Sequence, residues 1–215
     1  MIACSPSLSQ ARLLAAARAL YVEPGRRTRA VRPASGKATM AAAGRVGVRK
    51  ARALAVTLGI AILVLALDTV SKALALRALP GHPPVRLLGG LITLRLTRNA
   101  GAAFGVGPSY TVVIALVACT AIVLIVRTAS RLRNLGWSAA IGLLLGGASG
   151  NLCDRLFRSP GPMRGRVVDW INLPHFPWTF NLADAAICCA AALFVVLTLL
   201  GIRMDGAPAT QTSRR

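Results

Sequence analysis

Four apolar runs, at about residues 53–79, 110–126, 137–152 and 181–202, leave this chain few ways to fold. Between them lie only short segments of charge, glycine and proline. Apolar runs of about 17–25 residues match the hydrocarbon thickness of a bilayer when they are helical. Inside hydrocarbon every backbone N–H and C=O must be satisfied internally, which restricts spanning segments to helices and closed barrels. Composition agrees: 55% of the 215 residues are hydrophobic and 15% charged, too apolar for an ordinary soluble domain. The expectation is an all-α polytopic membrane protein with four transmembrane helices.

The formal net charge is +20, from 26 Lys and Arg against six Asp and Glu. A nucleic-acid partner is not indicated, because aromatic residues are few and the positive charge forms no sustained patch. Eleven of the basic residues fall within residues 1–53, and most others sit between apolar runs. That distribution suits a protein drawn to anionic lipid and oriented by its basic ends. Residues 1–50, rich in Arg, Ala, Gly, Pro and Ser, read as a disordered basic leader. Met40 opens MAAAGRVGVRKAR and is a candidate alternative start. The first apolar run follows a basic region, as in a cleavable signal peptide. Its helical pattern nevertheless continues through SKALALRAL to Pro80, long enough for a retained span.

The remaining segments have distinct signatures. Leu91–Arg98 alternates apolar and polar residues, the two-residue period of a half-buried strand, and Gly89–Gly90 supplies a turn before it. A small amphipathic sheet on the membrane surface is expected there. In the third run Gly142, Gly146 and Gly150 recur every four residues, the small-xxx-small pattern of close helix contact in lipid. Residues 127–133 form a short basic loop. The loop at 156–179 carries Trp170, Phe176, Trp178 and Phe180, which with Phe157 suggest an aromatic belt at one interface. Four spans put both termini on one side, taken as cytoplasmic. One discordance accompanies that assignment. The opposite loops are also basic, with Arg77, Arg86, Arg95, Arg98, Arg155, Arg158, Arg164 and Arg166 in or beside them.

This topology brings Asp68, Asn99, Asp154, Asp169 and Asp184 to the same membrane face, four of the six acids in the chain. An acid held at membrane level is a functional-site candidate. Asp68 and Lys72 are four apart on one helix face and can pair. Asn151/Asp154 and Asn181/Asp184 both read N-x-x-D, an amide and a carboxylate on one face, where the amide can orient the acid. Two carboxylates close together cannot both ionise cheaply, so one holds a proton. The ionised member can then take a proton from water while the other polarises a carbonyl, hydrolysing a peptide bond without metal, Ser or Cys. Asp169 and Asp184 are the expected pair. Asp154 is set aside because the adjacent Arg155 offers an ion-pair clamp. The cysteines show neither metal spacing nor a disulfide framework, and no cofactor is called for.

Together these residues resemble the lipoprotein signal peptidase (signal peptidase II) family of bacterial aspartyl peptidases. The resemblance rests on N-A-G-A-A-F at 99–104, G-N-L-C-D-R at 150–155, V-V-D-W at 167–170, F-N-L-A-D-A-A-I at 180–187 and the Asp68/Lys72 spacing. It covers roughly residues 51–203, with a tail at 204–215. It implies four helices with a small extracytoplasmic β-cradle and a catalytic dyad of Asp169 and Asp184. Asn99, Asn151, Asp154, Arg155, Asn181, Asp68 and Lys72 would support the dyad or bind substrate, with no metal. The implied substrates are prolipoproteins carrying a diacylglyceryl cysteine, cut just before that cysteine by a monomeric enzyme in the bacterial inner membrane, at its outer leaflet. Trp170 departs from the Phe usual in the family, and Thr69 from the common Gln. The alternative is a small proton- or cation-coupled transporter, which would place its acids near mid-span within internal repeats.

Overall fold

The structure is a computed structural model that describes residues 36–101 and 110–206. Most of the basic leader, residues 102–109 of the N-A-G-A-A-F region, and the last residues of the tail lie outside the described residues. The chain divides into two compact units, Met1–Met40 and Ala41–Arg215. Of the first, the described part is the opening of a helix; the second carries everything that follows.

Helix α1 runs from Gly36 to Ala78. It starts well inside the segment expected to be a disordered leader, so residues 36–50 are helical. The reason is local: Ala41–Ala43 are strong helix formers, and extending a helix already nucleated by an apolar span requires little. After Pro80 come strand β1 (Val85–Leu87) and strand β2 (Ile92–Asn99), joined through Gly89 and Gly90 at φ of 66° and 95°. Those left-handed conformations are the ones glycine adopts without strain. Helix α2 is Thr111–Ala129 and helix α3 is Leu135–Phe157. Strands β3 (Val167–Asn172) and β4 (Thr179–Phe180) lie within the aromatic loop, and helix α4 (Leu182–Leu199) closes the fold. Among the described residues three segments, Val46–Ala78, Thr111–Ala129 and Leu182–Leu199, are long and apolar enough to cross a membrane. Helix α3 is as long, but its glycines and Asn151 dilute its apolar character.

Helix α3 is diluted because it faces protein. A Cβ on Gly142 would stand 2.7 Å from the Thr57 carbonyl of α1, and one on Gly146 would stand 2.7 Å from that of Ala61. On the neighbouring face, a Cβ on Gly147 would meet the Ala183 carbonyl of α4 at 2.5 Å. The small-residue stripe expected from sequence is therefore where the backbones of α1 and α4 come closest to α3. Thr57 Oγ1 reinforces the crossing with α1 by donating to the Ser138 carbonyl at 3.2 Å.

The two ends of the bundle differ. At one end, Ala53, Ala129, Leu132, Trp137, Ile141 and Leu197 form an apolar cluster. There Trp137 stacks on Phe194 at 5.6 Å and donates from Nε1 to the Ile202 carbonyl at 2.7 Å. The Arg133 and Asn134 amides both donate to the Met204 carbonyl, so the end of the 127–133 loop and the chain beyond α4 meet. The other end carries an antiparallel sheet of order β1-β2-β3-β4. Its β2–β3 register pairs Thr97 with Asp169 and Arg98 with Val168. Side chains alternate across a strand, so Thr97 and Asp169 share one face and Arg98 and Val168 the other. Of the expected aromatic belt, Phe176, Trp178 and Phe180 pack together edge-on, with Phe176 5.4 and 6.1 Å from the other two. Phe157 stands apart and exposed.

Candidate active site

Four elements bring the polar residues to the sheet end: the last turns of α1, the end of β2, the last turns of α3, and the β3–α4 segment. Asp169 is 1% exposed on β3. Its Oδ1 accepts from Asn181 Nδ2 at 2.6 Å. Burial, and then the Asp184 charge, push its pKa up to about 7, while the Asn181 and Asn99 amides pull it down. Asn181 is also the N-cap of α4. Its Oδ1 accepts from the Asp184 amide at 3.0 Å, and Asp184 Oδ2 accepts from the Asn181 amide at 3.2 Å. That reciprocal pair is a capping box, and it fixes Asp184 in the first turn of the helix, where a carboxylate is favoured.

The N-x-x-D reading therefore needs correction. The Asn181 side-chain amide donates to Asp169 rather than to Asp184, because the residue caps the helix with its side-chain oxygen and its NH2 turns outward. The amide that serves Asp184 comes from α3: Asn151 Nδ2 donates to Asp184 Oδ1 at 2.7 Å. Asn151 does not bond Asp154. Its Oδ1 instead accepts from Asn181 Nδ2 at 3.2 Å and from Lys72 Nζ at 3.1 Å. The two asparagines thus cross between elements and knit β3, α3 and α4 into one site.

Asp68 and Lys72 form the expected pair, at 2.7 Å, but both are buried rather than interfacial. Lys72 Nζ also contacts Asp154 Oδ2 at 2.8 Å. With the Asn151 oxygen this surrounds the ammonium with three oxygens, two of them carboxylate. Asp68 Oδ1 accepts from the Ala183 amide at 3.0 Å, tying α1 to the start of α4. Gly150 makes room for this, since a Cβ there would lie 2.5 Å from Asp68 Oδ2.

The expected Asp154–Arg155 clamp is not formed. Neighbouring helical residues point about 100° apart, and Asp154 pairs instead with Arg158, one turn on, and with Lys72. It also accepts from the Val168 amide at 3.1 Å, which anchors β3 beside Asp169. Arg155 Nη1 and Nη2 donate to the carbonyls of Asn151 and Gly101 at 3.1 and 3.0 Å. Asn99 Oδ1 accepts from the Gly101 amide at 2.9 Å. The structure thus gathers Asp68, Lys72, Asn99, Asn151, Asp154, Arg155, Asp169, Asn181 and Asp184 at one end. The sequence reading missed Arg158, although its acid-first spacing of four from Asp154 carried the signal. It also missed the amides of Ala183 and Val168, which no side-chain pattern reveals.

Comparison with known proteins identifies the family and the fold. The family profile described as Signal peptidase (SPase) II matches residues 60–200. A lipoprotein signal peptidase of Streptomyces coelicolor is 45% identical over 158 residues, covering 74% of this chain and 77% of that protein. One from Mycobacterium avium is 44% identical over 157 residues, covering 73% and 86%. A solved bacterial membrane enzyme superposes with a TM-score of 0.58 at 23% identity, covering 74% of this chain and 92% of that one, and so shares the fold. A second superposes at 0.58 with 26% identity, covering 66% and 92%.

Proposed function

The chain belongs to the signal peptidase II family, and from this premise we propose how its own residues remove a signal peptide. It is a membrane-embedded peptidase with prolipoprotein substrates, and the transporter alternative drops out. In the proposed reaction Asp169 and Asp184 are the dyad. The observation that carries this is Asn181, which holds Asp169 through its side-chain amide and Asp184 through its cap. One residue therefore sets both acids.

With a pKa near 7, Asp169 is the member that holds a proton. It donates that proton to the scissile carbonyl oxygen. Asp184, oriented through both oxygens by Asn151 and the Asn181 amide, takes a proton from the attacking water. Water oxygen bonds to the carbonyl carbon. The intermediate then collapses: the C–N bond breaks, Asp184 gives its proton to the leaving amine, and Asp169 recovers one from the hydroxyl. The dyad is then as it began. Asn99, Asn151, Asn181 and Arg155 position the acids and the segments around them. The buried Asp68–Lys72–Asp154 group locks α1, α3 and β3 together.

The finer reading has α3 as a fourth span within a peptidase domain at 51–203, followed by a tail at 204–215. Both termini lie in the cytoplasm and the sheet lies at the outer leaflet of the bacterial inner membrane, in a monomer. The substrate cysteine carries diacylglycerol, whose acyl chains stay in the bilayer and hold the scissile bond at the height of the dyad. The test is cleavage of a diacylglyceryl-modified prolipoprotein by the purified chain in detergent, beside Asp169→Asn, Asp184→Asn and an unlipidated precursor. Cleavage of the lipidated form by wild type alone is expected. Turnover persisting in either variant would mean that the wrong acid has been assigned.

A further inference from the structure

The arginines at the sheet end stand against the usual bias of positive charge toward the cytoplasm, and the dyad uses few of them. Three of them, Arg98, Arg158 and Arg166, converge on one open cavity of about 330 Å³, lined also by Leu76, Phe157 and Val168. The cavity is separate from the catalytic site. Arg98 is the register partner of Val168, and Arg166 lies two residues before it, so both project from the face opposite Asp169.

The cavity has surplus positive charge. Arg158 gives its Nε to Asp154, whose other oxygen holds Lys72. Its side chain is still 30% exposed, which leaves the outer edge of the guanidinium open. Arg98 and Arg166 are exposed and make no ion pair among the described residues. One side of the cavity is apolar and lies at the membrane. Leu76 sits in the last turns of the spanning segment of α1, and the half-buried Leu65 and exposed Ile62 lie on the same helix face toward mid-span. Phe157 is 82% exposed at its rim. Guanidinium groups suit the oxygens of a phosphate diester. Apolar side chains along the Leu76 face of α1 suit acyl chains and do nothing for a free anion.

We propose that this cavity binds the phosphodiester headgroup of an anionic bilayer phospholipid, with its acyl chains along the exposed face of α1. Such a lipid would hold the β2–β3 pair down on the membrane from the side away from the dyad.

The test uses the full chain in detergent, delipidated and then offered equal amounts of phosphatidylglycerol and phosphatidylcholine, with retained lipid read by native mass spectrometry. Wild type should retain phosphatidylglycerol over phosphatidylcholine by roughly ten-fold, and the double variant Arg98→Gln/Arg166→Gln by less than about two-fold. Equal retention of both lipids by wild type would overturn the proposal. So would an undiminished preference in the double variant, or displacement of phosphatidylglycerol by an equal concentration of inorganic phosphate. If the glutamine variant shows no melting transition, Arg98→Lys/Arg166→Lys decides. Lysine keeps the charge but loses the two-pronged contact, so a reduced preference supports the site and a wild-type preference sinks it.

Discussion

Lys72 Nζ lies 3.1 Å from Asn151 Oδ1, and this contact decides which way the Asn151 amide faces. An ammonium can only donate, so the oxygen must point at Lys72 and the NH2 at Asp184. A lysine on the first helix thereby sets the donor to an acid on the last. Asn151→Asp keeps an acceptor for Lys72 and Asn181 but leaves Asp184 Oδ1 without its donor. Cleavage should fall by about 10²–10³-fold, the scale of losing one preorganised donor. The new carboxyl also faces Asp184 across that 2.7 Å contact, so unfolding in detergent should come earlier at about pH 7 and recover as the pH falls and the pair takes up a proton; a wild-type cleavage rate would contradict the expectation.

Lys72→Ala should act chiefly on stability. It leaves Asp68 and Asp154 buried without their shared cation. Breaking a buried pair by removing one partner is worth roughly 3–5 kcal/mol of stability. Denaturation in detergent measures it, and unfolding at the wild-type midpoint with abolished turnover would contradict the expectation.

As the proposed acid, Asp169 should make cleavage sensitive to alkali. Its pKa rises from the ordinary 3.8 to about 7 in the folded chain. The native state therefore binds a proton that the unfolded chain releases. The stability linked to that proton is full below the unfolded value and is lost as pH rises through the folded one. Between about pH 4 and 7 stability should decline with pH, and Asp169→Asn should flatten that slope. Cleavage should fall above about pH 7, as Asp169 loses the proton it donates. A rate rising steadily to pH 9 would remove Asp169 as the acid.

Two glycine substitutions separate packing from propensity. Gly147→Ala drives a methyl group onto the Ala183 carbonyl, next to Asp184. It should destabilise the fold by about 1–3 kcal/mol and lower the cleavage rate with it. Gly59→Ala, on α1, meets nothing within 4 Å. That change should be neutral or stabilising by up to about 1 kcal/mol. Equal effects from the two would mean that the close approach of α3 to α4 does not matter.

The outline of the fold was legible because it follows from short-range rules. Apolar run length marked the helices, the alternation at Leu91–Arg98 marked β2, and the glycine spacing marked the α3 contacts. The acids were legible because an acid in so apolar a chain stands out. What the sequence hid was partnership. Asp154 was matched to its chain neighbour Arg155, but helix geometry turns that side chain away and brings Arg158 and, from α1, Lys72. Asn181 was read as a helix-face partner of Asp184, whereas it is a cap whose amide turns outward to Asp169. Such pairings depend on how three elements cross, and spacing along one of them does not contain that. The helical stretch at 36–50 was missed because an arginine-rich composition was weighed above its run of alanines.

The capping box of α4 bears on how this enzyme could escape a drug. Asn181 closes the end of a helix while steering both acids, and every polar atom of its side chain is engaged. An inhibitor gripping Asn181 and Asp184 would press on residues whose replacement loosens the first turn of the helix and disturbs both proposed catalytic acids together. Resistance would have to arise at the margins, in the hairpins of the sheet or the aromatic loop, where a side chain can change without the helix end coming undone.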